Sequence, residues 1–164
     1  MLRGVPLAEI RNFVAVNGWL ATAGQPSEAE LADVAASGFE LVVNLGLSDP
    51  RYCLADEAGT AARLGLAYEH VPVDFKAPKV EDFLRFEGVL SAAAGKRTFV
   101  HCAANYRVSM FVGLYGELRL GWSRERADAL VRSRWEPNET WTAFAERCRA
   151  AFIDSAAMSA RDDH

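Results

Sequence analysis

No apolar run in the sequence approaches the roughly 18 to 20 residues that span a bilayer. Residues 1–18 lack a basic segment followed by an apolar stretch, so neither a transmembrane helix nor an export leader is expected. Cysteine is scarce. Cys53, Cys102 and Cys148 lie far apart, form no C-x-x-C pair and leave an odd thiol under any pairing, which argues against a disulfide framework and for a reducing cytoplasm. Excess positive charge is missing too: 18 Lys and Arg face 22 Asp and Glu, for a net charge of -4. Such a chain offers nucleic acid or an anionic membrane no broad attraction, and any anion site in it must be local. Repeats, low-complexity stretches and linkers are also absent. The 51% hydrophobic content of 164 residues supports one core. The expectation is a single domain over residues 1–154 and a disordered tail over residues 155–164, which ends Arg161-Asp162-Asp163-His164.

Strand and helix patterns alternate along the chain. Ser27 and Glu30 form a capping-box pattern ahead of a helix that Gly38 stops, and residues 39–45 read as an apolar strand. A helix is predicted over residues 54–64, closing at Gly65, then a short strand over 67–73. Val80, Phe83, Leu84, Phe86 and Leu90 share one helical face, and residues 97–101 form the next strand. A loop over 102–108 is followed by a helix over 109–120, another after Ser123, and a last one with Pro137 in its first turn. Such alternation predicts an α/β fold, a mostly parallel central sheet flanked by helices. Trp122, Trp135, Trp141 and Phe144 fall at spacings that predict core packing.

The segment His101-Cys102-Ala103-Ala104-Asn105-Tyr106-Arg107-Val108-Ser109 stands where a buried strand passes through a short loop into a helix. Loop amides and the positive end of the helix converge there, which favours an anion and would stabilise a Cys102 thiolate. Arg107 can grip two oxygens of an oxyanion with its planar fork. Asn105 occupies the tightest part, where a positive φ is expected and Asn is among the few residues besides Gly that tolerate it. Residues 103–108 thus form the expected phosphate cradle. Ser109 could donate to the Cys102 sulfur, His101 could orient the loop, and Tyr106 could line the mouth or pack on the helix.

This stretch resembles the protein-tyrosine and dual-specificity phosphatase signature, shortened to four residues between Cys102 and Arg107 as in a small bacterial phosphatase-like group. That group is similar to the domain fused to β-lactamase-like hydrolases. Its other markers have counterparts in Gly24-Gln25-Pro26-Ser27, in Gly38-Phe39 with Val42-Val43-Asn44-Leu45, in Leu64-Gly65 with Tyr68, and in Pro72-Val73-Asp74. Gly46 stands where the group often has Arg, and the resemblance covers about residues 12–120. It implies a cysteine-phosphatase fold and a metal-free, cofactor-free enzyme. In that enzyme Cys102 attacks phosphorus, Arg107 and loop amides bind the phosphate, and Asp74 is general acid and base. The implied partners are a phosphorylated protein or a small-molecule phosphate ester.

Several roles stay open at this level. Asp74 lies in an Asp-Phe-Lys-Ala-Pro segment that could swing over the site, yet it equally fits a turn residue, with Asp82 as the second candidate acid. Asp56 and Glu57 are expected on a solvated helix face and His70 facing solvent. Cys53 and Cys148 are expected to be inert, unless Cys53 resolves an oxidised Cys102. The four-residue loop also fits rhodanese-like sulfur transfer through a Cys102 persulfide. Val108 and Asn105 fit a phosphate-binding module without turnover.

Overall fold

The computed structural model describes residues 7–162. A five-stranded sheet runs β1(Val14–Ala15), β2(Leu20–Ala23), β5(Thr98–His101), β3(Leu41–Asn44), β4(Ala67–His70) in spatial order. Every pairing is parallel except β1 with β2. β2, β3 and β5 are buried along their whole length, as strands covered on both faces must be. On one face a smaller core joins Leu31 and Val34 of α1(Glu28–Ala36) and Ala61 of α2(Glu57–Arg63) to Val42 and Phe99. On the other, Val43 and Val100 meet α3(Val80–Ala92), α4(Tyr106–Arg119), α5(Arg124–Arg132) and α6(Glu139–Asp162) through Phe83, Phe111, Val131 and Phe144. The predicted sandwich of helices around a mostly parallel sheet is the observed fold.

α4 is the central helix, buried from Arg107 to Gly116. It has no polar face because α3, α5 and α6 surround it against the sheet. Gly116 permits this, since a Cβ there would sit 2.2 Å from the Trp122 ring. Trp141 and Phe144 are fully buried as expected, with Trp141 stacked edge-on to Phe144.

Element boundaries differ from the sequence expectation in four places. α2 begins at Glu57 rather than residue 54, because the Asp56 side chain accepts from the Gly59 amide and caps it. α4 begins at Tyr106, so the cysteine loop is only residues 102–105. Pro137 lies two residues ahead of α6, whose first turn is capped instead by Asn138 accepting from the Trp141 amide. The tail expected to be disordered continues α6 as far as Asp162; residues 163–164 and 1–6 fall outside the described chain.

Candidate active site

β5 delivers His101 and Cys102 to the carboxyl edge of the sheet, between β2 and β3. The chain then turns through Ala103, Ala104 and Asn105 into α4. Asn105 carries the whole reversal at φ 71°, ψ 6°, the left-handed conformation expected from its identity. Its side chain leaves the helix uncapped and points to the sheet instead, where Nδ2 donates to the Asn12 carbonyl (2.7 Å) and to Thr22 Oγ1 (3.0 Å).

The loop's carbonyls are all held on the outside. Cys102 O lies 3.3 Å from His101 Nδ1, Ala103 O accepts from the Gln25 amide (3.0 Å) and Ala104 O accepts from Asn12 Nδ2 (2.9 Å). In a trans peptide the N–H of the next residue points opposite to the carbonyl. Fixing these carbonyls outward therefore turns the Ala103 and Ala104 amides the other way, while Asn105 follows the bridge between Gly24 and Ala104 along the end of β2. α4 adds its own: its first intrahelical bond is from Ser109 N to Asn105 O (3.0 Å), so the amides of Tyr106, Arg107 and Val108 have no partner within the helix. Gly24 makes the arrangement possible, because a Cβ at that position would stand 2.6 Å from Ala103 O.

Beside this turn lies a cavity of about 230 Å³ lined by Cys102, Ala103, Ala104, Tyr106, Arg107 and Phe75. Cys102 forms its floor at 1% exposure. The Arg107 guanidinium is held from two sides: Nη1 donates to the Val73 carbonyl (2.8 Å), and Nη2 lies 3.4 Å from the Tyr52 hydroxyl, whose ring the guanidinium also faces. Those contacts use only part of its five N–H donors, and Arg107 lines the cavity. Tyr106 stacks on Trp135, 5.2 Å between centroids and 4° between planes, so the wall-lining and packing roles expected of it coincide.

Asp74 occupies an exposed turn beyond Val73. Its Oδ1 accepts from the Lys76 amide (2.9 Å) and its carbonyl from the Ala77 amide (3.2 Å). The next residue, Phe75, reaches the cavity, and this segment is anchored: Trp141 Nε1 donates to the Phe75 carbonyl (2.8 Å), and Phe75 packs on Trp135 and Trp141. Asp82, in the first turn of α3, is half-buried and does not line the cavity. Ser109 does not reach for the sulfur in this arrangement. Its hydroxyl donates to Tyr106 O (2.7 Å) and receives the Trp135 indole N–H (3.1 Å), tying the start of α4 to the α5–α6 connection.

The largest departure is Glu57. Expected on a solvated face, it is 6% exposed, with Oε2 2.5 Å from His101 Nε2 and Oε1 accepting from Gln25 Nε2 (2.8 Å). Burial pushes this carboxyl up, but the His101 hydrogen bond and charge, with Gln25, outweigh it and hold Glu57 below the ordinary 4.5. A charge at the first turn of a short helix gives no sequence signal of burial; only the pairing of strands β5 and β2 beside α2 creates it. Asp56 caps α2, and His70, half-buried, contacts the Gly46 carbonyl (2.6 Å) rather than facing solvent alone. Tyr52, which the sequence did not single out, joins the site by folding back from the β3–α2 connection. Cys148 is fully buried, its thiol pushed up to about 12 by burial.

No family model matches the chain. Over 121 residues it is 30% identical to the β-lactamase hydrolase-like protein of Xylella fastidiosa; the match takes in 72% of this chain but spans only 28% of that protein. The fold superposes on a DUF442 protein of Shewanella putrefaciens CN-32, described as a candidate phosphatase. The TM-score is 0.81 at 27% identity, covering 89% of this chain and 96% of that one. The active form of Tk-PTP is similar in fold as well, with TM-score 0.72 at 24% identity over 83% of this chain and 95% of its own. The chain thus has the fold of the protein-tyrosine- and dual-specificity-phosphatase-like proteins, and among them it is similar to the DUF442 protein and to a stretch of the β-lactamase hydrolase-like protein.

Proposed function

We propose that the chain is a cysteine-dependent phosphatase that hydrolyses phosphate monoesters, on a protein or a small molecule, through a phosphocysteine at Cys102. The observation that carries the reading is a cavity lined by the buried Cys102, by Ala103 and Ala104 of the loop and by Arg107, at the start of a helix whose first amides have no partner within it. In the mechanism, the Cys102 thiolate attacks phosphorus, and the amides with Arg107 take the charge that builds on the equatorial oxygens. Asp74 protonates the leaving oxygen and then activates the water that releases phosphate. For this the Asp74 turn must open, since its carboxylate now accepts from Lys76. Only one guanidinium lines a cavity otherwise walled by alanine and aromatic groups, which suits a single phosphate on an apolar or aryl carrier. The acidic chain disfavours nucleic-acid and membrane-surface substrates. The expected site of action is the cytoplasm.

Hydrolysis of p-nitrophenyl phosphate by the purified chain tests the reading. Turnover should vanish in Cys102→Ser while phosphate binding survives, and Asp74→Asn should lower kcat far more than KM. Phosphate binding without turnover in the wild type would leave a phosphate-binding module instead.

A sulfurtransferase is the second reading, favoured by the four-residue loop and by Phe75, not Asp74, lining the cavity. Here Cys102 takes the outer sulfur of thiosulfate as a persulfide, sulfite departs, and cyanide removes the sulfur as thiocyanate; no proton donor is needed. Thiocyanate formation without p-nitrophenol release selects it.

A further inference from the structure

We propose that Glu57 is a positioning residue for the Cys102 loop, working through His101 and Gln25. The inference rests on the reading of that loop as the reaction site.

Glu57 is not needed where it stands for the helix that carries it. Asp56 already caps α2 through the Gly59 amide (3.0 Å), and the Glu57 side chain turns away from solvent into the space beneath the loop. Burying a carboxylate costs several kcal/mol before any partner is counted, and an apolar side chain of similar volume would often serve stability as well. Its retention here is explained by what its oxygens hold.

Each oxygen grips a residue that itself controls one loop carbonyl. Oε2 holds His101 Nε2 at 2.5 Å, which fixes the ring's orientation and places a hydrogen on that nitrogen. The opposite nitrogen, Nδ1, lies 3.3 Å from Cys102 O and donates to it when the ring carries a proton on both nitrogens. Oε1 holds Gln25 Nε2 at 2.8 Å, and the main-chain N–H of Gln25 holds Ala103 O at 3.0 Å. One carboxylate therefore sets two successive peptide planes, those whose N–H groups belong to Ala103 and Ala104. Both residues line the cavity. His101 is fully buried, so no solvent molecule substitutes for Glu57 from outside. A carboxamide at position 57 keeps an acceptor for His101, and its N–H is accepted by Gln25 Oε1, buried without a partner, once the Gln25 amide turns over and gives up its bond to Pro26 O.

The test uses the full chain with Glu57→Leu and Glu57→Gln, read by kcat and KM on p-nitrophenyl phosphate and by the iodoacetamide alkylation rate at Cys102. Glu57→Leu should melt cooperatively yet lose roughly 10- to 100-fold in kcat with KM changed less than about threefold, because loop geometry and not ground-state affinity is disturbed. Its Cys102 alkylation rate should shift as well. Glu57→Gln should recover kcat to within about threefold of wild type, as the isostere restores both contacts. A Glu57→Leu protein matching wild type within about twofold in kcat and alkylation overturns the proposal, and so does a Glu57→Gln protein as impaired as Glu57→Leu. Should Glu57→Leu fail to fold, the proton spectrum decides: a strongly deshielded His101 Nε2–H signal in the wild type that moves upfield in Glu57→Gln supports it, and its absence from the wild type overturns it. Wild type without turnover, but with alkylation that responds to Glu57, sinks the phosphatase reading and keeps this one; normal turnover indifferent to Glu57 does the reverse.

Discussion

Gly24→Ala isolates how far the site depends on the strand that lies under it. Position 24 does not have a positive φ, so alanine brings no backbone strain, only an added methyl group. That methyl would sit 2.6 Å from Ala103 O, 3.1 Å from Ala104 Cα and 3.3 Å from Ala103 C, all main-chain atoms that cannot rotate aside. Restoring ordinary contact needs a separation of roughly half an ångström or more, and the bond between the Gln25 amide and Ala103 O lies in its path. Overpacking of this kind costs about 1 to 3 kcal/mol, which for a chain of this size lowers Tm by roughly 2 to 12 °C. Since the displaced peptide carries an inward amide, kcat on p-nitrophenyl phosphate should fall about tenfold or more. Thermal melts and initial rates on the same preparations measure both. Gly88→Ala is the control: it lies in α3 with nothing within 4 Å of its added Cβ, so it should gain up to about 1 kcal/mol from helix propensity alone. A Gly24→Ala protein that melts within about one degree of wild type and turns over at an undiminished rate would refute the claim that close approach of the turn after β2 shapes the loop.

Asn105→Ala puts a Cβ without a polar side chain at φ 71° and deletes the bonds to Asn12 O and Thr22 Oγ1; a loss of about 2 to 3 kcal/mol is expected in urea unfolding. Glu57, held below its ordinary 4.5, contributes stability that is complete above that value and is lost as pH falls through the lower folded value. Melting temperature should therefore drop on acidification below about pH 4.5 more steeply in wild type than in Glu57→Gln. Trp141→Phe retains most of the packing on Phe111 and Phe144 but removes the donor to Phe75 O; a stability loss of about 1 kcal/mol should come with an altered kcat, if the Phe75 segment is held for the reaction.

How much of this was legible in the sequence follows the range of the interactions involved. The Ser27–Glu30 capping box, the glycine that ends α1 and the apolar run of β3 are settled within a few residues, and each lies where the pattern put it. The left-handed turn at Asn105 was equally local: a strand and a helix meeting over so few residues leave one position to reverse the chain. The start of α4 was misread because Tyr106, Arg107 and Val108 are helical without intrahelical acceptors for their amides, so nothing in apolar periodicity marks them. Glu57 was beyond local reading altogether. Its burial depends on partners 32 and 44 residues away, and the same sequence in an isolated helix would be solvated.

The outward tethers also account for how a loop with only four residues between Cys102 and Arg107 is held in one conformation. A shorter loop has fewer peptides to aim, so each must be held. Cys102 O, Ala103 O and Ala104 O each have a separate contact, supplied by His101, by the Gln25 main chain and by Asn12, while Asn105 is moored to Asn12 and Thr22. These anchors come from β5 itself, from the Gly24–Gln25 turn after β2 and from the segment before β1. That explains why the Gly-Gln-Pro-Ser stretch, nearly 80 residues upstream of Cys102, belongs to the same site: Gly24 gives the room, the Gln25 main chain holds a carbonyl, the Gln25 side chain engages Glu57, and Ser27 starts the helix that carries the chain away. On the proposed reading, the positive potential that an acidic chain otherwise lacks comes from peptide dipoles of the loop and a single guanidinium rather than from surplus basic residues.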